Sequence, residues 1–219
     1  MNRRKLMQPS VHLSLQVSED LLPRFCLLAG GGFTFLVQTG CTVHDLLCGQ
    51  LGIPAEYLVG RVQTIFLNAS VVDDSRTASV PAGATIALSA AMPGIAGIML
   101  RKGSPYAPMR SRISHVNRDS TGQAPRRDHV VLKLFNMLQR ELGPPMLRRG
   151  VQVSGRALAD LFRGRTRVFH RGILSARFDE EPISPDVLLE TDWTGRDVFL
   201  RMQTRQHEET ELYDPRRGA

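Results

Sequence analysis

Between Met99 and Arg112 the chain interleaves cations with an aromatic ring: Arg101, Lys102, Tyr106, Arg110 and Arg112. Guanidinium and ammonium groups take phosphate oxygens, and a ring gives a base a surface to stack on. These are the ingredients of single-stranded nucleic-acid binding. One ring makes a poor platform, however, and Pro105 and Pro108 restrict the chain around it. A solvated connection between two folded regions accounts for the same residues and is the preferred reading. Beyond Ser114 the run Asn117-Arg118-Asp119-Ser120-Thr121-Gly122-Gln123 has few apolar residues, as expected of a linker.

Other reactive residue types are scattered. Cys26, Cys41 and Cys48 are odd in number and form no Cys-x-x-Cys, which argues against a disulfide framework or a zinc site and for buried structural thiols. His12, His44, His115, His129, His170 and His207 share no metal-ligand spacing with a carboxylate and sit beside no clear nucleophile. Asp179-Glu180-Glu181 falls where a hairpin turn is expected, so it reads as a solvated turn rather than a metal site. Gly30-Gly31-Gly32 leads into a strand, whereas a phosphate loop follows a strand and opens a helix, so a β-turn is expected there. No catalytic residue, cofactor site or metal site is predicted.

The elements that would position these residues are read twice in the same order, a pattern that predicts tandem duplication. Alternating runs at Leu13–Val17, Phe33–Val37, Leu132–Phe135 and Gly150–Val153 predict strands with one buried face. Val43, Leu46 and Leu47, and again Leu158, Leu161 and Phe162, make one apolar stripe at helical spacing. Thr42 and Ser154 stand where an N-cap belongs. Further strands are expected at Arg61–Leu67, Thr85–Ser89, Leu174–Phe178 and Asp197–Leu200. Gly40 and Gly155 lie 115 apart, Asn68 and Asp179 lie 111 apart, and Gly83 and Gly195 lie 112 apart.

The first copy resembles the sulfur-carrier proteins of molybdopterin and thiamine synthesis over residues 11–94. The resemblance is carried by Cys41-Thr42-Val43-His44-Asp45-Leu46-Leu47, by Leu51-Gly52-Ile53-Pro54, by Ile65-Phe66-Leu67-Asn68 with Val71-Val72, and by Pro81-Ala82-Gly83-Ala84-Thr85-Ile86. Ala69 replaces the glycine usual in the family's hairpin. The resemblance implies a β-grasp fold, a mixed sheet gripping one helix, and β-grasp relatives include RNA-contacting modules. A carrier also needs a C-terminal Gly-Gly, and this chain reads Met92-Pro93-Gly94-Ile95-Ala96-Gly97 and continues. Carrier chemistry would therefore require processing near Gly94 or Gly97.

Net charge is +7, and 98–128 holds seven cations against two carboxylates, so most of the excess lies in the linker. Only Lys5, Lys102 and Lys133 are lysines, a bias expected of a GC-rich bacterial genome that discounts the high pI. No apolar run approaches the roughly 18 residues of a membrane span, and a cytoplasmic protein is expected. The fold class expected is α+β: a β-grasp domain over 9–97, a basic linker over 98–127, a divergent β-grasp-like domain over 128–202 and a polar tail over 203–219. The function expected is a non-enzymatic protein-interaction or scaffold module with a protein partner. The alternatives are a sulfur carrier processed near Gly97 and nucleic-acid binding through the linker.

Overall fold

A computed structural model describes residues 11–90, 94–101, 105 and 125–204. The chain is mixed α+β, built on one ten-stranded sheet. The first half supplies β1 (Val11–Val17), α1 (Leu22–Cys26), α2 (Leu28–Gly31), β2 (Phe33–Thr39), a π-helical segment (Asp45–Gln50), α3 (Ala55–Gly60), β3 (Thr64–Leu67), β4 (Ser70–Val71), β5 (Thr85–Ser89) and α4 (Gly94–Leu100). The second supplies β6 (Arg126–Phe135), α5 (Met137–Arg149), β7 (Val151–Ser154), α6 (Gly155–Phe162), α7 (Thr166–Gly172), β8 (Ile173–Phe178), β9 (Glu181–Ile183), α8 (Pro185–Glu190) and β10 (Asp197–Thr204). Among the described residues no helix is long and apolar enough to cross a membrane.

The strand order is β4-β3-β5-β6-β2-β7-β10-β1-β8-β9. This corrects the expectation of one sheet per half. Strand β1 leaves its own half to lie between β8, antiparallel, and β10, parallel. Strand β6 goes the other way, parallel to β5 and antiparallel to β2. The halves meet at β2 and β7 through the pair Thr34 and Gln152. The physical reason lies in the connections. A two-residue hairpin would hold consecutive strands side by side. Here α1 and α2 separate β1 from β2, and α5 separates β6 from β7, so each first strand is free to reach the other half.

Local geometry follows the residue types. The Asp45 N–H donates to Thr42 Oγ1 at 3.1 Å, and the Ala157 N–H donates to Ser154 Oγ at 3.3 Å, so both expected caps are used. The helical stripes are buried, with Val43, Leu46, Leu47 and Leu158 fully enclosed. Asn68 and Ala69 (φ 49° and 66°) and Asp179 and Glu180 (φ 46° and 72°) are left-handed pairs in the tight β3–β4 and β8–β9 turns. Gly52 and Gly164, and Gly83 and Gly195, are likewise at positive φ in matching places. The Gly30-Gly31-Gly32 expectation is corrected: Gly30 and Gly31 end helix α2, and Gly32 (φ 121°) turns the chain into β2. The core is one cluster spanning both halves. Phe25 of α1 meets Phe169 at 5.4 Å and Phe162 at 6.1 Å, both edge-on, which fastens a first-half helix to second-half helices.

Candidate interaction surface

Of the cations and ring singled out between Met99 and Arg112, Arg101 is described, exposed and just past α4. Lys102, Tyr106, Arg110 and Arg112 lie outside the described residues. Gly94 and Gly97 belong to helix α4 rather than to an extended tail. Cys26 is buried in contact with α5, and burial pushes its thiol up to about 11. The half-buried Cys41 and Cys48 thiols are also raised, first by burial. All three cysteines are free, and no cluster of His, Cys, Asp and Glu able to hold a metal occurs among the described residues. Asp179 and Glu180 form the expected turn. Asp179 Oδ1 accepts the His12 N–H at 2.8 Å, which ties that turn to β1.

The surface with the richest chemistry arises where β8, β1, β10 and β7 lie side by side. Pleating alternates side chains across the sheet. Leu13, Leu15 and Val17 of β1 and Val198, Leu200 and Met202 of β10 point into the core. The alternate residues make the polar face: His12, Ser14 and Gln16 on β1, Phe199, Arg201 and Gln203 on β10, Ser175 and Arg177 on β8, and Gln152 on β7. Register sets their neighbours. His12 lies opposite Phe199, and Gln152 lies on the other side of Phe199. Ser14 lies between Arg201 and Arg177, and Gln16 between Gln203 and Ser175.

An open cleft of about 450 Å³ runs over this face, lined by Ser14, Gln16, Ser175, Arg177, Glu180, Arg201 and Gln203. Arg201 donates through Nε to the Arg148 carbonyl at 3.3 Å, near the end of α5. Ser175 Oγ donates to Gln16 Oε1 at 3.4 Å. Neither arginine is ion-paired to a carboxylate among the described residues. Chemically the face offers two guanidinium groups, three amides and two hydroxyls beside an aromatic pair, His12 and Phe199, whose ring centres are 5.2 Å apart.

A second polar constellation ties α3 to α5. Glu141 accepts from Arg61 through both carboxylate oxygens and from the Tyr57 hydroxyl. Arg61, then Tyr57, hold the Glu141 carboxyl below its usual value. Burial, then Glu141, raise the Tyr57 phenol. This cluster ties α3 of the first half to α5 of the second, so it reads as a structural latch.

The alternation that builds the polar face is visible in the sequence at His12, Ser14 and Gln16 and at Phe199, Arg201 and Gln203. That these two runs are neighbours is not, because nothing local indicates that β1 pairs with β10. Comparison with protein-family models, curated proteins and solved structures finds no match.

Proposed function

We propose that the protein is a non-enzymatic, cytoplasmic interaction module derived from the sulfur-carrier β-grasp fold, whose working surface is the polar face over β8, β1, β10 and β7. The observation that carries this reading is the composition of that face: Arg177 and Arg201 flank Ser14 with no carboxylate partner among the described residues, on strands whose opposite sides are largely buried. A sheet needs only one buried face to be stable, which leaves the other free for recognition.

The β-grasp origin is supported by β2-β6-β5-β3-β4. Its strands β6 and β5 run parallel, β2 and β3 flank them antiparallel, and the buried stripe of Val43, Leu46 and Leu47 belongs to a single helical segment. Duplication is supported by the paired turns at Asn68-Ala69 and Asp179-Glu180, and by Gly52 with Gly164 and Gly83 with Gly195. The other half keeps the same pattern of directions in β7-β10-β1-β8-β9. The foreign strand takes different places in the two groups, β6 between β2 and β5 but β1 between β10 and β8, so the groups share their strand directions and not their strand order. A carrier role would require α4, which holds Gly97, to unwind into a tail.

A photo-crosslinking residue placed at Ser175, on the polar face, and at Arg163, beyond the end of α6, tests the surface in the native host. The reading expects adducts to protein or nucleic acid from position 175 in excess of position 163. Equal or absent capture at 175 sinks it.

A further inference from the structure

We propose that this polar face binds single-stranded nucleic acid, with a base stacked on Phe199 and the sugar–phosphate backbone held by Arg177 and Arg201. The inference rests on the preceding reading of the face as the working surface and names its ligand. Three features carry it. First, the Phe199 ring is held ready. It reaches over β7, where a Cβ on Gly150 would lie 2.4 Å from its Cζ and 2.9 Å from its Cε1. Gly150 (φ 100°) leaves that space to the ring, and His12 flanks it from β1 with the ring planes tilted by 44°. An aromatic fixed on a sheet, half-exposed, loses little entropy when a base stacks on it.

Second, the cations stand at the right reach. Arg201 follows Phe199 by two residues, about 7 Å along β10, and Arg177 lies two strands away across Ser14, about 10 Å. A backbone leaving the stacked base therefore meets both guanidinium groups in turn. The turn residue Glu180 lines the cleft as well, and it repels a polyanion at that rim. Third, the neutral groups suit bases. Gln152 beside Phe199 and Gln203 beyond Arg201 offer amides that both donate and accept, as base edges do. The four strands span about 14 Å, comparable to the RNA-binding sheets that stack two or three bases. An acidic peptide also matches the arginines, but a ring beside amides between two cations suits a planar base joined to a phosphate more directly.

Fluorescence anisotropy of the full chain with short labelled oligouridylate and oligothymidylate, at two ionic strengths, tests the proposal. An acidic peptide of similar length serves as competitor. Phe199→Ala is expected to weaken oligonucleotide binding about 5- to 100-fold, while Phe199→Tyr keeps it. Arg177→Ala combined with Arg201→Ala is expected to flatten the slope of log affinity against log salt by about 1.4, two phosphates on a single strand. Circular dichroism confirms that each variant is folded, and Phe199→Tyr guards against a loss that is only structural. The proposal is overturned if the wild type binds neither oligonucleotide. It is also overturned if Phe199→Ala binds as tightly as the wild type, if the arginine pair leaves the slope unchanged, which would assign binding to cations elsewhere, or if the acidic peptide displaces the oligonucleotide as effectively as unlabelled oligonucleotide does. Failure here with sustained crosslinking from position 175 leaves the working surface intact and removes only its ligand. A silent position 175 removes the surface itself.

Discussion

A single hydrogen atom at residue 155 decides how the second half closes. A Cβ on Gly155 would lie 1.9 Å from the Trp193 carbonyl oxygen and 3.0 Å from that of Arg196, and both obstacles are backbone. The Gly155 N–H already donates to the Arg196 carbonyl at 2.8 Å, so the two segments cannot separate without losing that bond. Trp193 is buried and donates through Nε1 to the Leu188 carbonyl at 3.0 Å, which fixes the segment from its other side. Gly155→Ala is therefore expected to destabilise by about 1–3 kcal/mol, toward the upper end because no flexible side chain can give way. Urea unfolding with tryptophan fluorescence measures it, and a loss under about 0.5 kcal/mol, the scatter of ordinary surface substitutions, would mean the approach is looser than described. In the sequence Gly155 is legible as a landmark directly after the Ser154 cap. Its contact with a segment some forty residues on was not visible, because no local pattern encodes a close approach.

Elements show the same division. The two amphipathic helical stretches were legible because cap and stripe agree: Thr42 with Val43, Leu46 and Leu47, and Ser154 with Leu158, Leu161 and Phe162. Leu46→Ala and Leu161→Ala should each cost roughly 2–5 kcal/mol, since each removes a buried side chain and leaves a cavity. Chemical denaturation checks both, and a value below about 1 kcal/mol at either would put that residue outside the core. Helix α5 was not legible. Gly143-Pro144-Pro145 sits inside it, and each proline removes a backbone donor that a helix interior normally needs. Burial of Leu138, Leu142, Met146 and Leu147 outweighs that loss, and Gly143 lets α5 approach Cys26, with a hypothetical Cβ only 2.8 Å from its Sγ.

The α3–α5 latch gives this scale a pH signature. The Glu141 carboxyl is lowered in the fold by Arg61 first and Tyr57 second. A lowered acid contributes stability above its unfolded value, near 4.3, and loses it as pH falls through the folded value. The stability gap between wild type and Glu141→Gln should therefore be widest near neutral pH and close in the acid range below that value. Urea midpoints across pH read it, and a gap that does not change with pH would show that the latch acts through shape and not charge.

At the scale of the molecule, the interleaving of strands in one sheet makes the two halves of the chain incomplete without each other. Residues 11–101 hold β5, β3, β4 and β2 but lack β6, which lies between β5 and β2. Residues 125–204 hold β7, β10, β8 and β9 but lack β1, which lies between β10 and β8. In each half, removing the foreign strand would leave unpaired N–H and C=O groups along two neighbours in the middle of a sheet, not at an edge. Buried backbone groups left without partners are strongly disfavoured. The aromatic contacts of Phe25 with Phe162 and Phe169 would be lost at the same time. The strands themselves were legible in the sequence from their period-two pattern. Their partners were not, because a period-two pattern marks a buried face and says nothing of which strand lies alongside. The consequence is a cooperative whole: one unfolding transition, monitored together by Trp193 fluorescence in the second half and by far-ultraviolet circular dichroism over both. Cleavage of the chain between residues 102 and 124 offers the stronger test. Fragments expressed singly should be unfolded, and fragments expressed together should copurify as a folded pair, since the interleaved sheet needs both segments but not the bond between them. Two fragments that each fold alone, with independent transitions, would show that each half can close its own sheet and that the interleaving is not what holds the molecule together.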